Sequence, residues 1–175
     1  MQTIVINLFG EPSAGKSTAA MDITAQLKRA GVNAEYVSEF AKDKVYEKNA
    51  EVFKHQEYIF GKQSFKMARV SGKVQVIVTD SPLILSAVYN QDVVLGDEFN
   101  QVVLNKFNSY DNRNFLLTRT HKYENEGRLH TEEESVKIRE ELISTLTAMN
   151  VAVLTIEATE ANCKAIVNDI IKEVL

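Results

Sequence analysis

One segment restricts the chain more than any other. Gly10-Glu11-Pro12-Ser13-Ala14-Gly15-Lys16-Ser17 fits the pattern G-x-x-x-x-G-K-[ST]. Before it, residues 3–9 form a β-branched, apolar run that reads as a buried strand. After it, residues 17–30 read as a helix closed by Gly31, with Lys28 and Arg29 in its last turn. A strand, a glycine-bearing turn and a helix in that order suit one task. The glycines let the backbone wrap a polyphosphate with several N–H groups pointing inward. The helix N-terminus adds partial positive charge. Lys16 is expected to reach the β and γ phosphates, and Ser17 to hold Mg²⁺.

The rest of the chain continues the alternation. Strands are expected at residues 34–37, 74–79, 114–118 and 151–156. Helices are expected at 52–70, from Pro82 to about 90, at 97–108, from Thr131 to about 149, and at 162–175. Thr131-Glu132-Glu133-Glu134 reads as a capping box. Alternating strands and helices mean a mostly parallel sheet of five strands with helices on both faces. The length of 175 residues suits one domain, 1–175.

In such a sheet the ligand lies at the carboxyl ends of the strands. Asp80 closes the most apolar strand and is expected to hold Mg²⁺ through water or to take a proton from an attacking hydroxyl. Glu39 closes the second strand and is expected to recognise a substrate hydroxyl or act as general base, with Lys42 beside it. On the 52–70 helix, Phe53, Gln56, Phe60, Gln63, Met67 and Val70 share one face. Gln56 and Gln63 interrupt that apolar stripe, and buried amides need partners such as a nucleobase. Residues 119–130 are polar and read as a lid at about 119–131. Arg119 and Arg128 in it, with Arg113 nearby, are placed to meet charge on a transferring phosphoryl group.

Composition removes other classes. One cysteine excludes a disulfide scaffold and fits a reducing cytosol. His55, His121 and His130 have no metal-ligand spacing, and Cys163 reads as a packing residue. Nothing approaches a membrane span, so the expected location is cytoplasmic, without a membrane partner. A net charge of −4 disfavours wholesale binding to DNA. Residues 28–73 nevertheless hold ten of the twenty Lys and Arg against six acids. That patch, with Lys62, Lys66, Arg69 and Lys73, keeps DNA as a weaker alternative.

The order of motifs resembles small P-loop kinases related to the ribosylnicotinamide kinase domain of NadR, and the phage-encoded proteins grouped with them. The resemblance rests on GEPSAGKST (10–18), SEFAKD (38–43), His55-Gln56 followed by Tyr58, TDSP (79–82) and EGR (126–128). It implies a nucleoside- or nucleotide-kinase-like α/β P-loop NTPase fold, ATP with Mg²⁺, and a lid after the fourth strand. Under it, Lys16 and Ser17 correspond to the phosphate and metal groups, Asp80 to the strand-end acid and Glu39 to an acid near the acceptor. Taken together with the residue patterns above, Gly10, Ser13, Ala14, Gly15, Lys16, Ser17, Thr18 and Arg119 are expected to bind the nucleotide, and Ser17 and Asp80 to hold the metal. Lys16, Asp80, Arg128 and Glu39 act on the reacting groups. Glu39, Lys42, Gln56 and Gln63 meet a nucleoside- or nucleotide-type acceptor. A kinase of 5-hydroxymethyluracil within DNA, and an ATPase switch that transfers phosphate only to water, are the alternatives.

Overall fold

A computed structural model describes residues 2–120 and 131–175. The sheet has five parallel strands in the order β2-β3-β1-β4-β5. These are β1 Ile4–Phe9, β2 Ala34–Val37, β3 Val76–Thr79, β4 Asp111–Thr118 and β5 Leu154–Glu157. The helices are α1 Lys16–Arg29, α2 Phe40–Tyr46, α3 Gln56–Ala68, α4 Leu85–Val88, α5 Gly96–Asn108, α6 Glu132–Ala148 and α7 Glu160–Val174. None is long and apolar enough to cross a membrane among the described residues.

β1 sits between β3 and β4 and is buried along its whole length. Its period of two divides the core. Ile4, Ile6 and Leu8 pack with Ile23 and Leu27 of α1 and Ile166 and Ile170 of α7. Val5 and Phe9 pack on the other side with Met67, Val103, Phe107, Leu142 and Leu146 from α3, α5 and α6. The chain crosses from one side of β1 to the other between β3 and β4, which opens a crevice at the carboxyl edge just beyond β1. Gly10 enters that crevice.

Several local expectations hold in detail. α1 ends in a turn with Gly31 at φ 87°, where the Val32 N–H reaches the Leu27 carbonyl. Thr131 caps α6 with both bonds of the capping box. Cys163 is buried in the α1/α7 core, and burial pushes its thiol pKa up to about 11.

Other expectations are corrected. The single helix 52–70 is two pieces, a 3-10 turn over Ala50–Lys54 and α3, broken at His55 with φ −110° and ψ 74°. The Gln56 side-chain amide donates to the Phe53 carbonyl at 3.0 Å. A continuous helix would give that carbonyl to the Glu57 N–H. The helix expected from Pro82 shrinks to four residues, because 82–86 turn tightly through i→i+3 bonds. α2 has only seven residues, too few for its periodicity to stand out in the sequence.

Candidate nucleotide-binding site

The loop after β1 is built on backbone that most residues avoid. Gly10, Ser13 and Gly15 have φ of 150°, 64° and 84°. A Cβ on Gly10 would lie 2.9 Å from the Ala14 Cβ and 3.1 Å from the Leu117 carbonyl oxygen. Glycine is therefore required by both conformation and space. α1 begins at Lys16 with no acid in its first turn, so nothing in that turn offsets its positive end. The Lys16 ammonium spans the loop and donates to the carbonyls of Gly10 at 2.8 Å and Glu11 at 3.0 Å. Ala14 and Ser13 are buried, and Thr18 is exposed on the first turn.

Strand alternation explains why Asp80 meets this loop. Tyr36, Val78 and Leu8 lie toward α1, so Asp80, two residues past Val78, points the same way. Its carboxylate is 2% exposed and collects three donors. The Ser17 hydroxyl donates at 2.6 Å, the Tyr36 hydroxyl at 2.8 Å and the Glu39 N–H at 3.0 Å. A hydroxyl and a carboxylate, both hard oxygen groups, thus stand together beside the phosphate loop, as a small divalent cation requires. Among the described residues no three His, Cys, Asp or Glu cluster as a separate metal site.

Tyr36 is a site residue that the sequence alone did not single out. Burial and then the Asp80 carboxylate hold its hydroxyl pKa well above the usual tyrosine value. It therefore stays protonated and donating. A pKa raised in the fold adds stability below about pH 10, the ordinary tyrosine pKa, and that stability is lost above it. Tyr36→Phe is expected to remove one late-titrating group from the ultraviolet tyrosinate titration. It should cost about 1 kcal/mol of stability at neutral pH, because Asp80 loses one of three donors.

Glu39 occupies the N-cap position of α2 at the carboxyl edge, with Lys42 in the helix's first turn, both half-buried. Gln63 lies behind them, and its Oε1 accepts from the Phe40 N–H at 3.0 Å while its Nε2 donates to the Ser38 carbonyl at 3.4 Å. The amide expected to meet a base is thus engaged in holding the turn that carries Glu39. Gln56, at the far end of α3, gives its amide to Phe53. Tyr89, just past α4, is exposed as a residue, and partial desolvation of its hydroxyl, with the Glu39 and Glu141 carboxylates adding to it, raises its pKa above the usual tyrosine value.

The basic face of α3 is partly spent within the protein. Lys66 donates to both the carbonyl and the hydroxyl of Ser38. Lys62 lies over the Tyr58 ring at 5.4 Å and Arg69 over Phe65 at 5.9 Å. Lys73 donates to the Arg69 carbonyl.

The arginines separate. Arg119 directly follows β4 at the carboxyl edge. Arg128, like His121, His130 and most of the expected lid, lies outside the described residues. Arg113 is at the opposite end of β4, paired with Asp111 and Glu173, and takes no part in the site. Arg139 of α6 was not expected. It pairs with Glu11 of the loop at 2.6 Å and donates to the Leu117 carbonyl at 2.9 Å. No motif marks it, since it sits mid-helix and its partner is 128 residues away.

Comparison with known proteins places this geometry. Protein RecA of Macrococcus caseolyticus (strain JCSC5402) is 33% identical over 101 residues, covering 53% of this chain and 29% of RecA. The chain therefore spans well under two thirds of that relative. A crystal structure of NadR protein in complex with NR matches the fold with a TM-score of 0.70 at 16% identity, covering 94% of this chain and 50% of that one. A family model described as an AAA domain matches residues 5–162, from β1 through the phosphate loop and into α7. With that match and this loop geometry, the chain belongs to the AAA domain family and has the α/β fold of P-loop NTPases.

Proposed function

We propose that this chain transfers the γ-phosphoryl group of ATP to a hydroxyl or phosphate of a nucleoside- or nucleotide-type acceptor. The observation that carries the reading is the pairing of Ser17 with Asp80 at 2.6 Å, beside a phosphate loop and directly after the last residue of β3. The chain shares its fold with a NadR structure solved in complex with NR, which supports a small-molecule ligand for a fold of this kind. The reading treats 1–175 as one catalytic unit in which 119–131 is the lid.

The loop N–H groups and Lys16 would hold the β and γ phosphates, with Thr18 and Arg119 at the rim. Ser17 and Asp80 would hold Mg²⁺, which neutralises charge on the phosphates when bound. Asp80 already takes donors on both oxygens, which suits a fixed metal-side acid better than a proton acceptor. Glu39 is assigned the acceptor. Its carboxylate takes the acceptor's hydroxyl proton, the acceptor oxygen bonds to the γ phosphorus, and the bond to the β–γ bridging oxygen breaks to leave ADP. Lys42, in the first turn of α2, is assigned to the same acceptor, and Gln56 and Arg128 are assigned to the acceptor and the transferring group from the sequence.

Gln63→Leu checks the placement of Glu39. It removes the partner of the Phe40 N–H, a loss of about 1–3 kcal/mol to the turn. Acceptor turnover should fall while the KM for ATP stays close to wild type, read by steady-state kinetics in both substrates.

The test of function is a panel of nucleosides, nucleotides and DNA containing hydroxymethyluracil, each incubated with γ-labelled ATP. Label in a free nucleoside or nucleotide supports the proposal. Label only in DNA moves the activity to the basic face of α3, and label only in inorganic phosphate makes the chain an ATPase.

A further inference from the structure

We propose that Arg139 is a positioning residue of the phosphate loop, whose charge cancels Glu11 so that the loop can accept a polyphosphate. The inference rests on the reading of this loop as an ATP site.

Glu11 is the second residue of the loop, and its side chain is only 9% exposed. A carboxylate enclosed there repels the anion that the loop N–H groups are arranged to attract. It also cannot be left uncompensated, because a buried charge without a partner is strongly unfavourable. Arg139 meets it at 2.6 Å from α6, and is itself 21% exposed. The same guanidinium nitrogen donates to the Leu117 carbonyl at 2.9 Å. That carbonyl is the group that a Cβ on Gly10 would crowd. One side chain thus joins the loop's acid, the end of β4 and α6. One turn earlier, the Ser135 hydroxyl donates to the Pro12 carbonyl at 3.2 Å, so α6 holds the loop at two successive residues. Arg139 does this through the Glu11 side chain and needs no contact with the nucleotide.

The two roles open to such an arginine predict different double variants. If Arg139 acts by neutralising Glu11, then Arg139→Met should weaken ATP binding about tenfold or more. The loss should be larger for ATP than for ADP, since repulsion grows with ligand charge. Arg139→Lys, which keeps the charge, should bind within a few fold of wild type. Glu11→Gln combined with Arg139→Met should bind ATP as well as Glu11→Gln alone, because the acid that needed cancelling is gone. Calorimetric titration of each purified protein with ATP and with ADP reads all of this. Where Arg139→Met fails to fold, the double variant still decides. A double variant as weak as Arg139→Met, or as unstable, overturns the proposal, and so does an Arg139→Met protein that binds ATP like wild type. Failure of the wild-type chain to bind ATP at all would instead contradict the functional reading on which it rests.

Discussion

Lys16→Ala is expected to remove phosphoryl transfer, with turnover falling by about 100-fold or more. The ammonium is drawn across the loop, held by the carbonyls of Gly10 and Glu11. Removing it takes away the charge that would meet the β and γ phosphates. The fold should survive, because Lys16 is half-exposed and water can satisfy the two carbonyls. Arg139 would still neutralise Glu11, so the loop's outer rim should stay in place. Circular dichroism and thermal unfolding close to wild type, together with the lost turnover, give the expected result. Wild-type turnover in Lys16→Ala would remove the loop from the chemistry.

Asp80→Asn is expected to cost a comparable factor, about 100-fold or more, and to raise the Mg²⁺ concentration needed for half-maximal rate. The geometry explains why this variant should fold. Asn can keep its oxygen toward the Glu39 N–H and turn its amide toward the Ser17 and Tyr36 hydroxyls. Hydroxyls rotate and can accept as well as donate. The change therefore removes the negative charge while each neighbour keeps a bonding partner. Rate measured against Mg²⁺ concentration separates this from a loss of structure. An unchanged Mg²⁺ dependence would reduce Asp80 to a scaffold for the β2–α2 turn.

The centre of the fold was legible because local and global signals agree there. The apolar run of β1, the glycines of the loop and the alternation of strands and helices all demand the same α/β sheet. Asp80 and Glu39 were legible as acids at strand ends, and the parallel sheet brings both to one edge. Helix breaks were less visible. The stop at His55 depends on the Gln56 amide taking a backbone carbonyl, and three-to-four spacing runs straight through it. Gln63 showed itself as a polar residue in an apolar stripe, but its partners are the backbone of the β2–α2 turn. The interruption was real, and its partner could come from the chain as readily as from a ligand. Tyr36 and Arg139 were hidden for a further reason. Each acts through a contact distant in sequence, with Asp80 and Glu11, and neither belongs to a local pattern.

The central claim is that the loop over residues 10–17, with Asp80, binds the phosphates of ATP together with Mg²⁺. Equilibrium titration of the wild-type chain with ATP, in the presence and absence of Mg²⁺, tests it most directly. The account predicts saturable binding at one site, tighter with Mg²⁺, lost in Lys16→Ala and made insensitive to Mg²⁺ in Asp80→Asn. Absence of binding, or binding that both variants retain with the Mg²⁺ effect intact, would contradict it.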